Sequence, residues 1–229
     1  MLLCVSFIPA TAQLEANNWY WGNGMGVQFL PQLKQLDSNY VNWEEVISFS
    51  DRNTGQFLFC SSENHDNKYD GSEKIKYQLD LFNRKYERFN SEPLRSDVSC
   101  SQGLLIVPHP INCKQYYLLS LDSRFRSTTQ GDDKYQTQLS YSIIDMTDDK
   151  GQVVSKDNRI IEDYFTEGMT GTIHGNGTDY WVVLRRYSPP SFVSIPITNL
   201  GINANNVVIS FPELLRPYTP GSIGYNIMK

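Results

Sequence analysis

Three stretches of the chain share one pattern: an apolar run with strand-like alternation, a short polar turn, and a second apolar run that opens on aromatics. They read EEVISFSD, RNTGQ and FLFCSS; then GLLIVPHP, INCKQ and YYLLSLDS; then GMTGTIHG, NGTD and YWVVLRR. Copies recur about every 60 residues, a period that predicts one small antiparallel sheet per repeat in a radial or stacked array. In the second unit GLLIVPHP, YYLLSLDS, QTQLSYSIIDM and QVVSKDNRII follow one another as strands, separated by Gly, Asp and Asn turns. Four antiparallel strands in about 60 residues is the content of one propeller blade. The expected fold is therefore all-β, built from four-stranded antiparallel blades of a β-propeller. Blades are expected at about 43–90, 100–162 and 168–212, with a fourth starting at 221 in GSIGYNIMK.

The segment 13–40 is expected to hold an aromatic strand with glycine turns, NNWYWGNGMGVQF, and then a polar connector through Pro31. Propellers close with about 4 to 8 blades. Three blades and one strand read as an incomplete ring, the N-terminal part of a larger propeller or a chain that pairs with a partner. Open blade faces predict self-association of the isolated chain.

Composition supports the strand reading: Tyr (14) and Phe (11) are abundant and only 20% of residues are charged. A formal charge of −5 argues against nucleic acid, whose phosphates need clustered Lys and Arg. The basic clusters NRKYER (83–88) and LRRY (184–187) read as solvated strand faces.

Residues 1–12 read as a signal peptide. Leu2, Leu3, Cys4, Val5, Phe7 and Ile8 form a short apolar core, and Ala10, Thr11 and Ala12 supply the small-x-small pattern for cleavage between Ala12 and Gln13. No Lys or Arg follows Met1, so the start can lie inside a longer signal. No segment reaches the ~20 apolar residues of a membrane-spanning helix. The expectation is export to the periplasm, cell surface or medium, with no transmembrane segment. Past the leader stand Cys60, Cys100 and Cys113. Cys60 reads as a core filler, and a Cys100 to Cys113 bridge requires the two ends of the intervening strand to meet. No Cys or His pair has structural-zinc spacing, so neither metal nor cofactor is expected.

His65, His109 and His174 fall in turns or at strand ends, and His174 before Gly175 reads as a turn stabiliser rather than a general base. Asp51 in SFSDRNTGQF resembles a sialidase Asp-box, but the Asp to Gly spacing is too long, so the turn-holding role is favoured. Asp145, Asp148 and Asp149 lack the alternation of a calcium loop. Asn176 heads an NGT sequon. Trp19, Tyr20, Trp21, Tyr116, Tyr117, Tyr180 and Trp181 suit either glycan or peptide stacking or blade-to-blade packing, and their recurrence at one place in each unit favours packing. The Tyr187 to Pro190 loop is better placed to meet a partner.

NNWYWGNGMGVQF, the SFSD and TGQFLF hairpin, GLLIVPHP before YYLLSLD, LSYSIIDMT, VVSKDNRI and HGNGTDYWVV together resemble the N-terminal propeller-like region of secreted bacterial surface proteins. Those proteins are associated with gliding motility and the type IX secretion system, and many end in a sorting domain. The resemblance spans nearly the whole mature chain. It implies a WD40-type or YVTN-type propeller used for interaction, with no catalytic residues to carry over; this chain shows no sorting domain. The expected function is an exported, non-catalytic interaction or scaffold module at the cell envelope. Its partner would be a protein or glycan of the envelope, or the remaining blades. The alternatives are a fragment of a secreted carbohydrate-active propeller enzyme, or a structural repeat of an adhesin.

Overall fold

The computed structural model describes residues 14–42, 45–63, 78–96, 100–124 and 136–211. The leader and its Ala12/Gln13 junction, Trp43, His65 and GSIGYNIMK lie outside the described residues. The fold is all-β, in antiparallel sheets consistent with propeller-like blades, which among the described residues do not close on themselves.

The first sheet has three strands, β1 (Asn18–Trp21), β2 (Asn23–Gln28) and β3 (Lys34–Val41). The second has β4 (Ser48–Ser50), β5 (Phe57–Glu63), β6 (Gln78–Asn83) and β7 (Leu94–Arg95). The third has β8 (Leu104–Pro108), β9 (Gln115–Arg124), β10 (Gln136–Asp145) and β11 (Gln152–Asp163). In the fourth, β12 (Phe165–Ile173), β13 (Tyr180–Tyr187) and β14 (Pro190–Thr198) are followed by a divided edge. There β15 (Gly201–Ile202) and β16 (Val208–Ser210) pair with opposite ends of β14, with a turn of 3-10 helix between them.

Strand alternation lets each inner sheet serve two cores. Along β9, Tyr116 and Leu118 face the second sheet, packing with Phe49, Phe59, Leu79 and Leu81. Tyr117, Leu119 and Leu121 face the fourth, packing with Val182, Leu184, Val193 and Ile195. That two-sided burial is why YYLLSL is apolar at consecutive positions, with only Ser120 interrupting it, instead of alternating. A third core, between the first and second sheets, holds Tyr20, Tyr40 and Cys60. Adjacent sheets are also tied by polar contacts: Asn18 Nδ2 donates to Ser50 Oγ (3.0 Å), and Asn83 Nδ2 donates to Lys150 O (3.0 Å). A parallel bridge joins Gln102 to Gly168.

Two expectations are corrected, and one pair of side chains departs from simple alternation. The polar connector after Pro31 contains the full strand β3: its Leu36, Ser38 and Tyr40 turn inward, while Lys34, Gln35 and Asp37 face solvent. Phe57 and Phe59, which simple alternation would put on one face, enter different cores because β5 carries a register shift opposite Phe49 and Ser50. Cys100 and Cys113 are not bridged. They flank β8 at its two ends, separated by roughly 13 Å of strand, beyond the ~7 Å Cα limit of a disulfide. Cys100 lies in the core with Sγ 3.7 Å from Glu167 O, whereas Cys113 is exposed in the turn before β9.

Candidate functional site

The aromatic positions divide by strand parity. Tyr116 and Tyr117 are buried, on opposite faces of β9, and Tyr20 is buried against Tyr40 (5.2 Å between ring centroids) and Phe57 (4.8 Å). Tyr180 and Trp181 are half-buried, and His174 lies 5.5 Å from the Trp181 ring. Trp19 and Trp21 do not follow the packing expected from recurrence. They alternate with buried Asn18 and Tyr20 along β1 and face away from the second sheet, 51% and 38% exposed.

The register of β1 on β2 sets Trp19 opposite Val27 and Trp21 opposite Met25, so these four share one outward face. Phe29 meets Trp19 edge-on at 5.2 Å and 76°. Trp19, Trp21, Val27 and Phe29, with Tyr20 beneath and Val46, Ile47 and Ser48 approaching from the side, line an open groove of about 640 Å³. Met25 (49%), opposite Trp21, extends the apolar surface. Monomeric soluble proteins seldom leave such a contiguous aromatic patch in water, and interface hot spots are enriched in Trp. The parity of WYW was visible in the sequence; the direction of its two faces was not.

The other polar candidates hold their own turns. Burial pushes the Asp51 carboxyl up, but donation from the Asn53 and Thr54 N–H groups and the Thr54 hydroxyl outweighs it, leaving the group below its ordinary value. Asp148 accepts from the Lys150 and Gly151 N–H groups. His174 Nδ1 accepts from the Asn176 N–H, and Asn176 Oδ1 accepts from Thr178 and Asp179. His109 stacks on Tyr117 at 5.1 Å and 15°, and burial lowers its pKa. Burial raises the Cys60 thiol, which fits a core filler. Among the described residues no group of three or more His, Cys, Asp or Glu is placed to hold a metal ion, and no helix is long and apolar enough to cross a membrane.

Three residues of the basic clusters are paired, Arg84 with Asp149, Arg88 with Asp80 (2.9 Å) and Arg186 with Asp163 (2.9 Å). Arg186, read from sequence as solvated, is only 11% exposed and donates to Ser191 Oγ as well. In the Tyr187 to Pro190 loop only Ser188 and Pro189 are exposed, because Tyr187 and Pro190 pair in the ladder.

Asp145 carries a testable pH dependence. Hydrogen bonds from Thr147 lower its pKa, burial opposes them, and Gln115 Nε2 adds a bond at 2.8 Å, with a net lowering. A depressed folded-state pKa stabilises above the unfolded value of about 3.9 and loses that contribution as pH falls through the folded value. Asp145→Asn is expected to shrink the fall in urea midpoint between about pH 5 and 2. An unchanged acid limb refutes the assignment.

No family model, curated protein or solved structure matches this chain. The surface-protein reading accordingly rests on the ordered motifs of the sequence.

Proposed function

We propose that the chain is an exported, non-catalytic interaction or scaffold module of the cell envelope that docks its partner on the face of Trp19 and Trp21. The observation carrying this reading is the aromatic groove itself: two tryptophans, 51% and 38% exposed, supported by a strand ladder. Large rings held on rigid strands bind with little loss of conformational entropy. A non-catalytic role is supported by the engagement of Asp51, Asp148 and His174 in local turns.

A photo-crosslinking residue at position 21 is expected to yield a discrete adduct in the host envelope fraction, and one at Tyr117 is expected to yield none. Trp19→Ala with Trp21→Ala is expected to weaken that association about tenfold or more, with unchanged far-UV circular dichroism. The same double variant should reduce self-association of the purified chain in sedimentation. A wild-type chain that forms no adduct and sediments as a monomer at high concentration would defeat the proposal.

A further inference from the structure

A second cleft lies between β7 and β11, the edge strands of the second and third sheets, and has a volume of about 560 Å³. Pro93 gives it an apolar edge beside core-buried Leu94, the buried amide of Gln138 lies on β10, and Arg95, Lys156 and Arg159 contribute three cations against Glu92 and Asp157. The lining cations outnumber the lining carboxylates by one, and Glu162 on Arg159 offsets that excess, so the cleft is close to neutral within a chain of net charge −5.

The cleft is built by a distortion of β11. Asp157 adopts φ +51°, a left-handed conformation that side chains other than Asn and Asp seldom take, amid register shifts against β10. Side chains hold it there: Ser142 Oγ accepts from the Asp157 N–H (3.0 Å), and Asn158 Nδ2 donates to Tyr141 O (3.2 Å) and Ser155 Oγ (2.7 Å). The distortion carries the Asp157 carboxylate across the cleft, where Oδ1 accepts from the Arg95 backbone N–H at 3.0 Å.

The cations differ in what they meet. Lys156 Nζ lies 3.0 Å from Glu92 Oε2 and 3.8 Å from Asp157 Oδ2, and Arg159 is 2.9 Å from Glu162. The half-buried Arg95 guanidinium has no carboxylate partner among the described residues. A partly desolvated guanidinium presents a planar fork of donors that matches a carboxylate in two parallel hydrogen bonds. The carboxylates of Glu92 and Asp157 beside it would repel a phosphate dianion about twice as strongly as a carboxylate monoanion, and they accept hydrogen bonds from hydroxyl groups. The Pro93 ring suits the C–H face of a sugar ring, and the volume falls in the usual range for small-ligand sites.

We propose that this cleft binds a uronic acid residue of an acidic saccharide, with Arg95 gripping the sugar carboxylate, Lys156 beside it, and Glu92 and Asp157 accepting from ring hydroxyls. It is a second site, separate from the tryptophan face.

The test is calorimetric titration of the full chain with trigalacturonate, beside a neutral galactose trisaccharide, sodium sulfate and a triaspartate peptide. Saturable binding of trigalacturonate that weakens with salt is expected, reduced about tenfold or more in Arg95→Gln. Arg84→Gln, altered outside the cleft, should bind as wild type, and the Trp19→Ala and Trp21→Ala variant should also retain saccharide binding. Circular dichroism and urea midpoints verify that Arg95→Gln is folded. The assignment is overturned if trigalacturonate does not saturate, if the folded Arg95→Gln binds equally, or if the neutral sugar, sulfate or triaspartate binds as well.

Discussion

Phe59→Ala is expected to cost about 3–5 kcal/mol, the usual range for truncating a buried aromatic to alanine. Phe59 is fully buried between the second and third sheets, its ring 6.0 Å from Phe49 and Phe89 and 6.1 Å from Tyr116. The surrounding Leu79, Leu81, Leu118 and Ile144 are themselves almost completely buried and fixed on strands. They cannot close the void without shifting a ladder, so the lost transfer energy and the cavity cost add. Against a typical domain stability of about 5–15 kcal/mol, the loss removes a large fraction of the total. Urea unfolding should show a lower midpoint with a similar slope. Phe29→Ala provides the contrast: its ring is 40% exposed on the tryptophan face, and a loss under about 1 kcal/mol is expected. Equal losses at the two positions would mean that the second and third sheets do not share a core.

The same residues show what the sequence could and could not disclose. YYLLSL announced a strand, and the structure adds that β9 is buried on both faces and serves two cores. The strand β3 was hidden because its inward positions include Ser38 and its outward ones include Lys34 and Asp37, a pattern that reads as a polar connector. Phe57 could not be placed by alternation, since the register shift in β5 is fixed by its pairing with β4. The strand between Cys100 and Cys113 was legible, but not that the turn after it leaves its two ends apart, with Cys100 in the core and Cys113 exposed. For the aromatics, reasoning from position in the repeat overlooked parity, which separates Trp19 and Trp21 from Tyr20. The Arg95 cleft had one local sign, the Asp-Asn pair within VVSKDNRI, two residues that tolerate left-handed backbone inside an otherwise regular strand. Its other half comes from β7, 62 residues away, and only tertiary structure joins them.

Gly103→Ala should destabilise by about 2–3 kcal/mol through overpacking, although a single methyl group is all that is added. A Cβ at this position would press on Glu45 Oε1 and lie 2.6 Å from Cys100 Cβ and 3.0 Å from Cys100 Sγ. Cys100 and Glu45 are each only 2% exposed, and Glu45 Oε2 accepts from the hydroxyl of fully buried Ser96. Relief by movement of the carboxylate would disturb that bond inside a low-dielectric site, where a misplaced polar group costs most. Gly175→Ala is the matched control, because nothing lies within 4 Å of its added Cβ, and it should change the urea midpoint little. The mechanism makes a further demand: if the cost at Gly103 arises from displacing Glu45, the two positions must be coupled. In a double-mutant cycle Gly103→Ala should cost less in a Glu45→Ala background than in wild type, by more than the ~0.5 kcal/mol within which independent sites add. Additive effects would assign the cost to Cys100 and the backbone instead of to the buried carboxylate.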